Sequence, residues 1–304
     1  MLKKIAAACL IIGLVAAIVL WVLSAPATLS EQQIAAFPAG DAAKGENVFW
    51  AAGCASCHSA PKAKGDAQLT LTGGRGFATP FGTFFAPNIS TDKEHGVGSW
   101  SLGDFANAVL LGTTPDGAHY FPAFPFGTYA RMTHGDVADL WAYFQTLPAD
   151  KTASKTHDVP FPFNVRRGVG LWKLLFFSTE PVLAFDNPSE QLKRGQYLVE
   201  ALAHCGECHT PRNPAGGMRL DRWLAGGKAP EGDEVIPNIT PHEDGIGDWS
   251  ATDIVYSLET AFTPEFDSFG SSMVEVQENM ARLPKSDREA IAAYLKAVPA
   301  LAKE

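Results

Sequence analysis

Basic residues are in deficit in this chain. Lys and Arg number 24 against 33 Asp and Glu, a formal charge of −9 over 304 residues, which leaves a basic nucleic-acid-binding face unsupported. No alternating apolar–polar run is long enough to form a substantial sheet. There is no extended low-complexity tract, and long apolar runs are limited to one near the N-terminus. Cysteine and methionine are scarce, five of each, so each can be weighed singly. Gly and Pro are plentiful, 28 and 21, which points to short elements joined by long connections. Length alone suggests about two domains.

The apolar run Ile5–Ser24 follows Lys3 and Lys4. About twenty apolar residues match the hydrocarbon thickness of a bilayer when helical. A cleaved signal peptide is the alternative, because Ala25-Pro26-Ala27 loosely resembles a cleavage site. An apolar core of that kind is usually shorter, about 7–15 residues, and proline suits the site poorly. An uncleaved anchor is therefore expected, with the lysines inside by the positive-inside rule. Cys9 lies within it as a small apolar membrane residue.

The other four cysteines form two copies of one pattern, Cys54-Ala-Ser-Cys57-His58 and Cys205-Gly-Glu-Cys208-His209. Cys-x-x-Cys-His is the attachment signature of c-type haem. Two thiols three positions apart add to the vinyl groups of one porphyrin, and the adjacent His is held under the iron as an axial ligand. A zinc or disulfide site would not require His directly after both pairs. Two covalently bound haem c groups are expected, on Cys54, Cys57 and His58 and on Cys205, Cys208 and His209. Covalent attachment and the N-terminal segment both place the body outside the cytoplasm.

The surroundings of the motifs repeat with a period of about 150 residues. Leu71-Thr-Gly-Gly74 matches Leu224-Ala-Gly-Gly227, and Pro87-Asn-Ile-Ser90 matches Pro237-Asn-Ile-Thr240. Gly96-Val-Gly-Ser-Trp100-Ser101 matches Gly245-Ile-Gly-Asp-Trp249-Ser250, and Ala142-Tyr-Phe144 matches Ala293-Tyr-Leu295. Capping-box spacing starts helices at Ser101 with Asp104, Ser250 with Asp253, and Ser286 with Glu289. The first copy's closing helix starts near Gly135. Helices near Asp41–Gly53 and Ser189–His204 lead into the two motifs. Residues 149–188 belong to neither copy. They include Pro160-Phe-Pro-Phe-Asn164 and the apolar stretch Leu171–Phe177, too apolar for a loose linker, and are expected to wrap across both copies. A membrane contact through Leu171–Phe177 is open, but the run is too short to span.

A methionine opposite the proximal His suits electron transfer, whereas an exchangeable position suits catalysis. Met273, in a Gly/Ser loop, is the expected sixth ligand of the second haem, with Met280 and Met218 as competitors. Met132 is the lone methionine of the first copy and the expected ligand there, with His134 and His119 as runners-up. Arg75, Arg212 and Arg219 are open to propionate pairing or to solvent. Trp100 and Trp249 are open to contact with the haem edge or to core packing. His95, His157, His204 and His242 read as ordinary surface or loop groups.

The stretches Gly195-Gln-Tyr-Leu-Val199, His204–Arg212, Pro237–Pro241 and Gly245–Ser250 resemble the multihaem cytochrome c subunits of membrane-bound alcohol and gluconate dehydrogenases, over roughly residues 40–300. Helices and long loops around a haem also resemble the class I cytochrome c domain. The resemblance implies an all-α fold of two tandem class I cytochrome c domains, 38–148 and 189–302, after a membrane anchor at 1–27 and with a strap at 149–188. It implies a membrane-anchored periplasmic dihaem cytochrome c, at the inner membrane, carrying electrons between a dehydrogenase or respiratory donor and a quinone or oxidase. A dihaem redox enzyme, such as a peroxidase or a thiosulfate-oxidising cytochrome, is the alternative. Two departures stand out. Relatives are commonly trihaem, and where their first distal loop often reads Tyr-Pro-Ala-Met-Pro-Tyr this chain has Phe124. No flavin, quinone-cofactor or molybdenum site is visible.

Overall fold

The computed structural model describes residues 1–303, and the chain is mostly helical. Helix α1 (Leu2–Leu23) is followed by the short α2 (Glu31–Ala35) and by α3 (Ala42–Ala51), which runs into the turn α4 (Cys54–His58). After the hairpin β1 (Gly76–Thr79) and β2 (Gly82–Phe85) come α5 (Leu102–Leu111), the turn α6 (Phe126–Tyr129) and α7 (His134–Phe144). Between the halves lies α8 (Arg167–Phe176). The second half continues with α9 (Glu190–Tyr197), extended by a π-helical turn at Leu198–Leu202, and the turn α10 (Gly206–His209). A hairpin of β3 (Gly227–Lys228) and β4 (Val235–Ile236) follows, then α11 (Ala251–Thr260), α12 (Met273–Arg282) and α13 (Lys285–Ala297). The two antiparallel hairpins qualify the all-α expectation. They are two to four residues per strand, too short to carry a readable alternation.

The helix starts follow from their caps. Ser101 and Ser250 each accept from the backbone N–H three residues on, while Asp104 and Asp253 reach back to the cap N–H, closing reciprocal boxes. Asp41, Thr133 and Ser189 cap α3, α7 and α9 through their side chains. At α13 the expected cap fails. The helix begins at Lys285 after Pro284, so Ser286 lies inside the first turn. Proline there needs no N–H partner and already has a φ near the helical value.

Each half is organised on one tight helix crossing, α3 against α7 and α9 against α13. Glycine makes both possible. A Cβ on Gly45 would meet Asp139 O at 2.0 Å, and one on Gly195 would meet Ala290 O at 1.9 Å. Around the first crossing pack Phe49, Phe105, Tyr143 and Phe144, and around the second Leu198, Val199, Ile291 and Tyr294, within one continuous apolar cluster.

The segment 149–188 bonds to both halves. Thr83 and Asp158 exchange backbone hydrogen bonds at 2.7 and 2.9 Å, and Trp172 Nε1 donates to Ala215 O at 3.1 Å. The Val182 N–H donates to Glu200 Oε2 at 2.6 Å. The helical form of Arg167–Phe176 was not foreseen from the sequence. It also receives α1: the Arg167 guanidinium lies 4.3 Å over the Trp21 ring and donates to Ser24 Oγ at 3.0 Å. Helix α1 has 22 residues, mean hydropathy 2.9 and no buried residue. At 1.5 Å per residue it is about 33 Å long, enough to cross a hydrocarbon core.

Candidate haem sites

Each Cys-x-x-Cys-His motif is a single helical turn, entered through a left-handed residue: Gly53 (φ 66°) before Cys54 and His204 (φ 43°) before Cys205. One turn places both thiols of a motif on one side of the helix with the His following. All four thiols are free. Burial pushes Cys54 and Cys205 up to about 12, and Cys57 and Cys208 up to about 11. Among the described residues no group of three or more His, Cys, Asp or Glu is placed to hold a metal ion.

The imidazoles are oriented in the same way. His58 Nδ1 donates to Pro87 O and His209 Nδ1 to Pro237 O, each at 2.9 Å. That bond fixes the tautomer and leaves Nε2 with its lone pair free for a metal. Burial holds both rings below the usual histidine value, although the proline carbonyls oppose it. Two thiols able to form thioethers and one oriented imidazole nitrogen able to hold iron are the groups that covalent haem requires, and the residues fit it.

The repeated motifs downstream exist to place those carbonyls. Gly73 donates to His58 O at 2.6 Å and Gly226 to His209 O at 2.7 Å. Both have φ of 75°, with backbone within 2.6 Å of a Cβ position, so only glycine fits. Asn88 and Asn238 turn the chain after each proline. Their Oδ1 accepts from Ser90 and Thr240 N–H at 2.8 Å, and their Nδ2 donates to Asp150 O (2.8 Å) and Leu301 O (2.6 Å).

The two motifs face each other across the molecule. Asn279 Nδ2 donates to Ser56 Oγ at 2.8 Å, and Thr128 Oγ1 donates to Glu207 Oε1 at 2.5 Å, so each motif is held by the other half. Gly53 lies against the His204 ring. Arg75 donates to Ser56 O at 2.9 Å and pairs with Glu275 and Glu231, while Arg212 pairs with Glu207. Burial pushes the Glu207 carboxyl up, but Arg212 and the Thr128 hydroxyl outweigh it and hold the group below its ordinary range.

Of the arginines singled out from the sequence, Arg75 and Arg212 thus line the space between the motifs, and Arg219 pairs with Asp221. Trp249 donates to Glu265 at 3.2 Å. Met132 is buried just before α7, and Met280 is buried on α12. Met273 is the first residue of α12, helical rather than in a Gly/Ser loop. His134 is exposed and stacked on Phe37, and His119 donates through Nε2 to Ser24 O at 2.9 Å. Sequence reasoning missed the Thr128–Glu207 and Ser56–Asn279 pairs, since nothing local marks a contact across more than 70 residues.

The cytochrome c family matches residues 42–148. A dihaem cytochrome c-type protein of Cereibacter sphaeroides is 50% identical over 272 residues, 90% of each chain. The fructose dehydrogenase cytochrome subunit of Gluconobacter japonicus is 38% identical over 86% of this chain and 53% of its own length. The gluconate 2-dehydrogenase cytochrome c subunit of Pantoea cypripedii is 34% identical over 90% of this chain and 63% of its own. The chain therefore spans between half and two thirds of those dehydrogenase subunits. With two attachment turns of matching geometry and a relative alike along nine tenths of both chains, it belongs to the dihaem c-type cytochromes.

Proposed function

We propose that this chain is a membrane-anchored electron carrier that passes electrons from a dehydrogenase or other respiratory donor to a downstream quinone or oxidase. The observation that carries this is the duplicated attachment turn, each with its imidazole tied by Nδ1 to a proline carbonyl. Bound haem c supplies a one-electron iron couple. The protein's part is to fix that group covalently through Cys54 and Cys57, and through Cys205 and Cys208. His58 and His209 would hold the two irons through Nε2, and Met273 would offer its sulfur to the second haem. The Arg75–Glu275–Glu231 and Arg212–Glu207 pairs set the charge between the two sites.

Residues 38–148 and 189–302 form two class I cytochrome c domains in this reading, clasped by the strap 149–188. The near-identical bonds around Pro87 and Pro237 support that division. The relatives that are dehydrogenase subunits support a dehydrogenase partner, and an independent peroxidase activity is not favoured. Purified full-length protein is expected to hold two haems per chain that resist acid–acetone extraction, and to be reduced in two one-electron steps. Haem that extracts, or a single haem per chain, would contradict the assignment.

Residues 1–27 are the anchor, with Lys3 and Lys4 cytoplasmic and the body periplasmic. The Arg167–Trp21 stack and the bond from His119 to Ser24 tie the foot of α1 to the body. Leu174 and Leu175, 53% and 75% exposed, extend an apolar surface on α8, which packs against α1. Protein from the membrane fraction is expected to retain Lys3 and Lys4 and to resist carbonate extraction. A mature N-terminus following Ala27, in soluble protein, is the opposite result and would identify a signal peptide.

A further inference from the structure

The two halves keep the same backbone bonds leading into their distal segments, so their residues can be paired one by one. Helices α5 and α11 both end on a left-handed residue, Gly112 (φ 57°) and Ala261 (φ 68°). Thr114 N–H then donates to Ala118 O, and Thr263 N–H to Asp267 O, each at 2.8 Å. Tyr120 N–H returns to Gly112 O at 2.9 Å and Phe269 N–H to Ala261 O at 2.8 Å. Bridges join Thr113 with His119 and Phe262 with Ser268. Tyr120 therefore corresponds to Phe269. Four residues further on, Phe124 corresponds to Met273.

Pairing from the other end gives a second register. Gly45 meets Asp139 O as Gly195 meets Ala290 O. Asn88 bonds Asp150 O as Asn238 bonds Leu301 O. Thr128 reaches the facing motif as Asn279 does. These pairs place Tyr129 at the position of Met280, and Met132 at the position of Leu283. Met132 and Leu283 are 5% and 3% exposed, and both belong to the apolar core ahead of the closing helix. Met132 thus occupies a core-filling position, and the position of Met273 is taken by a phenyl ring.

The runner-up histidines and Tyr129 are committed elsewhere. His119 Nε2 is bonded to Ser24 O at the foot of α1, and it corresponds to Ser268. His134 is exposed and stacked on Phe37 at 4.3 Å. Tyr129 donates its hydroxyl to Ala52 O at 2.6 Å. Around Phe124 stand the rings of Tyr120, Phe126 and Tyr129, with centroids 5.6, 6.4 and 5.9 Å away. These rings make a largely aromatic enclosure, with the Lys173 ammonium 4.5 Å from the Phe126 centroid and bonded to Leu111 O and Gly112 O.

We propose that the first haem has no protein ligand opposite His58, and that the Phe124 side of it is a binding site for a small neutral diatomic such as carbon monoxide or nitric oxide. Distal polarity decides which ligands an open iron accepts, and aromatic walls favour uncharged ones over anions. The proposal replaces the expectation that Met132 ligates, and it rests on His58 and His209 being the proximal ligands of two covalent haems. The haem count of the same sample, by pyridine haemochrome, tests that basis separately.

The experiment is a carbon monoxide titration of the dithionite-reduced full-length holoprotein, followed in the Soret band. One carbon monoxide per two haems is expected. Phe124→Met is expected to abolish uptake and to add a methionine-to-iron charge-transfer band in the oxidised spectrum. Met132→Leu is expected to leave uptake unchanged, and Met273→Ala to raise it to two per chain. No uptake by the wild-type protein, or uptake that appears only in Met132→Leu, overturns the proposal. So does uptake of two per chain by the wild-type protein, since both irons would then be open.

Discussion

Gly195→Ala is expected to destabilise the holoprotein by about 3 kcal/mol or more, above the usual range for overpacking a core. The added methyl would lie 1.9 Å from Ala290 O, 2.6 Å from its carbonyl carbon and 2.9 Å from Tyr294 Cβ. Two of those atoms are backbone, so no rotamer change relieves the contact. Helices α9 and α13 must separate, loosening Tyr294 and Ile291, both buried in the core. Gly45→Ala is the equivalent change in the first half, 2.0 Å from Asp139 O. Gly127→Ala is the control, because nothing lies within 4 Å of its Cβ position. Thermal unfolding followed at the Soret band separates the cases. If Gly195→Ala melts with Gly127→Ala, the two helices are not in backbone contact.

The features that could be read from the sequence are those whose chemistry is local. Cys-x-x-Cys-His needs five consecutive residues. Its helical turn follows from the spacing, and Ser101-x-x-Asp104 declares a helix start in four. The repeated Pro-Asn-Ile was visible as a pattern, but its purpose, a carbonyl aimed at His Nδ1, appears only when residues about 29 apart meet. Features set by tertiary contact were missed. Met273 was placed in a loop because Gly270, Ser271 and Ser272 precede it, yet Val274–Arg282 continue it as a helix. The strap's helix was hidden because Gly168 and Gly170 weaken helix propensity. Gly170 is required there by close approach, its Cβ position being 2.2 Å from Ser24 O. The facing of the two motifs through Ser56, Asn279, Thr128 and Glu207 had no sequence signal at all.

Glu200→Leu is expected to cost about 3–5 kcal/mol, because several buried donors lose their acceptor at about 1–3 kcal/mol each. Glu200 is 2% exposed on the π-helical turn after α9. Such turns rotate a side chain out of the regular helical path, and here the carboxylate is directed inward. Its Oε1 accepts from the Tyr294 hydroxyl at 2.6 Å, Gln196 Nε2 at 3.1 Å and Leu183 N–H at 3.3 Å, while Oε2 accepts from Val182 N–H at 2.6 Å. Tyr294 in turn accepts from Trp223 Nε1 at 3.0 Å. A leucine leaves the strap N–H groups and the tyrosine hydroxyl without an acceptor in an apolar setting. Glu200→Gln keeps an acceptor for some of these bonds but turns an amide N–H₂ toward remaining donors, so a smaller loss is expected. Because the Val182 and Leu183 N–H groups both end on this carboxylate, leaving Gln196 Nε2 to Leu183 O (2.6 Å) as the remaining bond from α9 to these two residues, release should show locally as well as globally. Limited proteolysis is therefore expected to cut Glu200→Leu within residues 178–186 before the rest of the chain yields. Wild-type resistance there, together with an unchanged melting temperature, would mean that the carboxylate does not clamp the strap.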